Sequence, residues 1–156
     1  MQVRDVLRVK GGTIFSVTPE SRLSECAITM SERDIGSVVV MNGNRLAGML
    51  TFREVIAVLA KRQKEQRVGP TPPIADITVN EAMDPDPFVS SPGMELDELR
   101  GKMVEHHARY VPILDGETLV GVISFHDVAK AVLEERNFEN RMLKGYIKNW
   151  PAEEKV

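Results

Sequence analysis

The stretch Gly121-Val122-Ile123-Ser124-Phe125-His126-Asp127 has an earlier counterpart, Gly48-Met49-Leu50-Thr51-Phe52-Arg53-Glu54, 73 residues before it. Each reads as a strand running straight into a helix: a short apolar run after a glycine, then a hydroxyl residue able to cap a helix start. Outward from this junction the same offset keeps returning identities. Pro19 meets Pro92, Leu23 meets Leu96, Met30 meets Met103, Val38 meets Val111, Gly43 meets Gly116 and Val55 meets Val128. Upstream of Pro19 the offset becomes 76, with residues 3–7 against 79–83. The three-residue change falls around Gly11-Gly12 and Pro85-Asp86-Pro87, in loops, where added length costs little. The chain holds two copies of one supersecondary unit.

Each copy predicts the order β-α-β-β-α. Residues 14–17 form a short strand, and Thr18-Pro19-Glu20 opens a helix with Leu23, Cys26, Ala27 and Met30 on one face. Ser37-Val38-Val39-Val40-Met41 is β-branched and ends in the turn Asn42-Gly43-Asn44, so a hairpin returns through 46–50. Thr51 then caps a helix through Val55, Ile56, Val58 and Leu59. The second copy repeats this with strand 87–90, helix 92–105, strands 110–114 and 119–123, and a helix after Ser124. A unit of about 60 residues is too small to be comfortable alone, so two copies packed together by their sheets are expected to form one core. The expected fold is mixed α+β (α/β): two β-α-β-β-α repeats related by a pseudo-two-fold. The divisions are residues 1–65 for the first copy, 66–76 for a proline-broken linker, 77–136 for the second, and 137–156 for a C-terminal amphipathic helix and tail. In that tail Phe138, Met142, Leu143, Tyr146, Ile147 and Trp150 recur at helical spacing before Pro151. They read either as packing on the parent domain or as a contact surface for another protein.

The whole chain of 156 residues is 42% hydrophobic and 28% charged with a net charge of −3, which excludes disordered and low-complexity classes. The acidic balance also argues against a nucleic-acid-coating protein. The basic run 61–67 lacks the interleaved aromatics of a single-strand binder. Cys26 is the one cysteine, so no disulfide forms within the chain, and a buried structural thiol in a reducing, cytoplasmic setting is expected. No apolar stretch approaches the roughly 20 residues of a membrane span.

The repeated junction supports two accounts. Ser124 with Asp127, and Thr51 with Glu54, have the three-residue spacing of a capping box. The same groups suit a mononucleotide: the helix N-terminus and hydroxyl for a phosphate, and the carboxylate one turn along for two ribose hydroxyls. Other signals are weaker. Gly43 and Gly48, and Gly116 and Gly121, have P-loop spacing, but Met49 and Val122 stand where Lys should follow, so they read as hairpin glycines. His106, His107 and His126 find no further ligand at metal-binding spacing. No nucleophile elbow or dinucleotide fingerprint occurs, so a catalytic role is not expected.

The ordered repetition resembles the CBS domain, and the pair resembles a Bateman module. Residues 79–83, Ser91-Pro92, Arg109-Tyr110-Val111-Pro112-Ile113, the Asp115-Gly116 turn and 121–127, with their first-copy equivalents, carry this likeness across roughly residues 3–134. The tail 140–150 is similar to that of small stand-alone two-CBS proteins. The resemblance implies a non-catalytic regulatory module that binds an adenosyl ligand between the packed sheets: AMP first, then ADP or ATP, S-adenosylmethionine or NAD(H). It also implies a homodimer and a client enzyme or transporter as partner. Carried over by position, one cleft would use Ser124 and Asp127 for phosphate and ribose and Arg109 for phosphate, with Thr18, Gly36, Ser37 and Val38 around adenine. The other would use Thr51 and Glu54 with Ser91, His107, Tyr110, Val111 and Pro112. Two departures make the clefts unequal. Glu54 stands where Asp is expected, and Gly36 stands where the second copy has Arg109, so the cleft with Asp127 is expected to fill first. The competing readings are a ligand-free interaction module and a nucleotide hydrolase.

Overall fold

The computed structural model describes residues 1–148. Its elements are α1 (Val3–Lys10), β1 (Ser16–Val17), α2 (Leu23–Arg33), β2 (Ser37–Asn42), β3 (Arg45–Thr51) and α3 (Phe52–Gln66). A 3-10 turn follows at Ile74–Asp76, then α4 (Val79–Ala82), α5 (Leu96–Glu105), β4 (Tyr110–Asp115), β5 (Thr118–Ser124) and α6 (Phe125–Lys148). The mixed helix-and-strand fold with two repeats is the one expected.

Both hairpins form in matching register. Ser37 pairs with Thr51 in the first, and Tyr110 with Ser124 in the second. Gly43 and Gly116 turn them with φ of 62° and 64°, a left-handed conformation that suits glycine. Each hairpin also carries an irregularity at the equivalent place, between Val40 and Met41 and between Ile113 and Leu114. The duplicated sequence thus reproduces the backbone in detail.

Three local expectations are corrected. The first strand shortens to Ser16–Val17, which runs parallel to β2, and in the second copy only an isolated bridge from Ser90 to Ile113 remains. The helices after Pro19 and Pro92 start later, at Leu23 and Leu96. Their caps, Arg22 and Glu95, stay extended because they pair with another segment: Arg22 bridges Thr78, and Glu95 bridges Gln2. The separate C-terminal helix proves to be the continuation of α6, a single helix of 24 residues. Trp150 and Pro151, which the sequence places at its end, lie outside the described residues.

Those bridges reveal how the copies are joined. The α1 residues Val3 and Val6 are buried among Leu96, Leu99, Met103, Val111, Ile113, Ile123 and Val128 of the second copy. Val79, with Ala82 and Met83, packs among Leu23, Cys26, Met30, Val38, Val40 and Leu50 of the first. The single core expected of the packed sheets is instead two cores, because each copy lends its opening segment to the core of the other. Main-chain hydrogen bonds fasten the exchange, from Val3 N to Met94 O at 2.9 Å and from Val79 N to Ser21 O at 2.8 Å.

The mid-strand glycines make room for it. A Cβ on Gly48 would lie 2.5 Å from the Asp84 carbonyl oxygen, and one on Gly121 would lie 2.5 Å from Leu7 Cδ2. These residues sit inside β3 and β5, so they are crossing-point glycines and not hairpin glycines.

Candidate functional site

Two clefts open between the copies, of about 540 and 720 Å³, both within the usual range for small-molecule sites. The smaller lies between the β5–α6 junction and the first copy. Ser124, Phe125 and His126 face Phe15, Ile35, Gly36, Ser37 and Val39 across it, with Lys10 and Arg109 at its walls. The larger is its pseudo-symmetric counterpart, with Thr51, Phe52, Arg53 and Glu54 facing Phe88, His106, His107 and Tyr110.

The two junctions are built differently at the atomic level. At the start of α6, the Ser124 amide donates to Asp127 Oδ2 at 2.8 Å, and the Asp127 amide donates to Ser124 Oγ at 3.0 Å, a complete capping box. Asp127 is also held by Lys10, whose Nζ lies 2.6 Å from Oδ2 and 2.8 Å from the Val122 carbonyl oxygen. Burial disfavours the ionised carboxylate, but Lys10 and Ser124 outweigh it and keep Asp127 below its ordinary pKa.

At the start of α3 the extra methylene of Glu54 alters the pattern. Its Oε2 accepts from the Thr51 hydroxyl at 2.8 Å, and Thr51 Oγ1 takes the Arg53 amide at 3.2 Å, so no reciprocal box forms. Burial pushes the Glu54 carboxyl up. The Thr51 hydrogen bond opposes this only in part, and the negative charge of Asp84 adds to it.

Several residues named from the sequence come together. Ser124, Arg109, Gly36 and Ser37 line the smaller cleft, with Asp127 bonded into its Ser124 edge. Thr51, Glu54, His107 and Tyr110 line the larger. Others lie apart from both linings. Val38 and Val111 are core residues, 3% and 0% exposed, and Pro112 is buried in β4. Thr18 is occupied with Ser21 in its own turn, and Ser91 sits in the turn before α5. Tyr110 reaches further than its position suggests: a Cβ on Gly36 would lie 1.9 Å from its hydroxyl oxygen. Gly36 is therefore small because Tyr110 covers it, and Arg109 and Tyr110 form a wall common to both clefts.

Sequence reasoning missed Lys10 in the smaller cleft and Asp84 and Asp86 in the larger. All three stand in the exchanged segments, Lys10 at the end of α1 and Asp84 and Asp86 after α4. The offset of 76 pairs Lys10 with Asp86, so the available signal was a cation in one copy where the other has an anion. Among the described residues, no cluster of His, Cys, Asp and Glu could hold a metal ion.

The comparisons with known proteins agree with this architecture. Bacillus subtilis has a CBS domain-containing protein, YhcV, that is 29% identical over 116 residues, 74% of this chain and 76% of that protein. The crystal structure of a CBS-domain containing protein from Agrobacterium tumefaciens superposes with a TM-score of 0.74 at 27% identity, covering 84% of this chain and 98% of the other. The structure of CBSX2 in complex with AMP shares the fold, with a TM-score of 0.69 at 20% identity over 86% and 98% of the two chains. The CBS domain family itself matches twice, at residues 3–61 and 74–134, so the two exchanged copies are two CBS domains and the chain belongs to that family.

Proposed function

We propose that the chain is a regulatory module that binds an adenosine nucleotide, AMP first, in the cleft between Ser124 and Gly36. CBS pairs are regulatory ligand-binding modules, and one with this fold holds AMP. The observation that carries the reading is the charge of the smaller cleft. Lys10 and Arg109 stand beside the N-terminus of α6, where Ser124 presents a hydroxyl and Asp127 a carboxylate, a set suited to a phosphate and a ribose together. The larger cleft sets Glu54, Glu81, Asp84 and Asp86 against Arg53, Lys61 and the shared Arg109, one acid in excess, whereas the smaller sets Lys10 and Arg109 against Asp34, one cation in excess. The proposed order of filling is therefore the Asp127 cleft first. Ligand occupancy bridges both copies, stabilises one arrangement of them by mass action, and lets a client protein read it. The proposed role has no catalytic step and belongs to a reducing, cytoplasmic setting, in which buried Cys26 stays a thiol. No helix among the described residues is long and apolar enough to cross a membrane.

Calorimetric titration with AMP, ADP, ATP, S-adenosylmethionine and NADH tests the proposal. The expected result is a tightest step with a phosphorylated adenosine that Asp127→Ala weakens at least about tenfold, the scale of one charge-assisted hydrogen bond. An unchanged tightest step in Asp127→Ala overturns the assignment of the cleft. A second reading, a ligand-free interaction module, draws on the same carboxylate, since Asp127 already has Lys10 and Ser124 as partners. Absence of any thermal shift at millimolar ligand would favour it.

A further inference from the structure

We propose, resting on the reading that the Ser124 cleft takes adenosine, that Lys10 is an exchangeable partner of Asp127 that selects phosphorylated adenosine over the bare nucleoside. In the structure its ammonium lies 2.6 Å from Oδ2 of Asp127, the carboxylate proposed to accept the ribose hydroxyls. Any adenosyl ligand that engages this carboxylate has to displace it or share it. Lys10 is free to move in a way Asp127 is not. It ends α1, its side chain is 35% exposed against 18% for Asp127, and it precedes Gly11, at φ 91°, and Gly12.

The energetic consequence differs by ligand. A ribose brings two hydroxyl donors to the carboxylate but offers the displaced ammonium nothing in return. The ammonium then keeps only the Val122 carbonyl and solvent in place of a charged partner. A 5′-phosphate supplies the missing anion at the same end of the cleft, beside Arg109 and the start of α6, so Lys10 exchanges one anionic partner for another. A sulfonium ligand is the least favoured, because it adds a cation close to Lys10 and Arg109. The pseudo-symmetric cleft has no such device. Asp86 is the counterpart of Lys10 by the offset of 76, and the charge of Asp84 acts on Glu54 with the opposite sign.

The experiment compares AMP with adenosine and S-adenosylmethionine, by calorimetry on the full chain, in the binding step that Asp127→Ala weakens. Wild type is expected to prefer AMP to adenosine. Lys10→Ala is expected to reduce that preference about tenfold or more, while adenosine binds as well as before or better, because Asp127 is released. Lys10→Gln, which keeps length without charge, is expected to reduce it likewise, and Lys10→Arg to keep it. An unchanged ratio in Lys10→Ala and Lys10→Gln, with wild type binding both ligands, overturns the role of Lys10 alone. Equal weakening of both ligands overturns it too, since a merely structural lysine would give that result. Failure of wild type to bind either ligand overturns the adenosine reading and this inference with it.

Discussion

Glycines 48 and 121 hold equivalent places in the two strands, yet their neighbours give them different tolerances. At Gly48 the obstacle to a side chain is the backbone oxygen of Asp84, held there by paired hydrogen bonds between Met49 and Asp84 at 3.0 and 2.9 Å. At Gly121 it is the end of the Leu7 side chain, which can rotate away. Gly48→Ala is therefore expected to destabilise by about 2–3 kcal/mol and Gly121→Ala by about 1 kcal/mol or less, within the range for overpacking. Denaturant midpoints with unchanged m-values would establish the order, and the reverse order would contradict it. The same scale separates what could be foreseen at the clefts. Ser124 lies within one turn of Asp127, and Thr51 within one turn of Glu54, so each pairing is a local matter that spacing reveals. Lys10 is 117 residues from Asp127, and no local pattern announces that contact.

Among the elements, α6 departs most from expectation. Its first turns bury Val128 and half-bury Ala131 and Val132 against the second core. Beyond Leu133 the helix continues without a proline or a core beneath it, and Phe138, Met142, Leu143 and Ile147 are each 58–62% exposed. On α3, Phe52 and Ile56 are likewise more than half exposed. Apolar surface presented by both junction helices of a pseudo-symmetric pair is the kind a second copy can cover, so we propose a homodimer through these helices. Phe138→Glu with Met142→Glu is expected to convert the dimer to monomer in light scattering while leaving circular dichroism unchanged. A wild-type chain that is monomeric at the same concentration would refute it. The periodicity of this face was legible in the sequence. Its continuity with the preceding helix was not, because the buried side ends near Val132 while the helix goes on.

At the level of the whole molecule, the exchange of opening segments makes the two copies one folding unit. Val3 and Val79, each fully buried, belong by sequence to one copy and by packing to the other. One calorimetric endotherm is expected for the full chain, moved upward as a whole by AMP according to RT ln(1 + [L]/Kd). Two resolved transitions would mean that the copies fold separately. The exchange also links ligand to architecture, since Lys10 and Asp86 reach their clefts only because α1 and α4 cross over.

The repeat, the hairpins with their glycine turns, the capping hydroxyls and the inequality of Glu54 and Asp127 could all be read from the sequence alone. They follow from local periodicity, turn chemistry and side-chain length, which act between near neighbours. Tertiary structure decided which core each opening helix enters, why Gly36, Gly48 and Gly121 carry no side chain, and which charges face the two carboxylates. Those outcomes depend on contacts between residues tens to more than a hundred positions apart, and their geometry exists only once the two copies have packed.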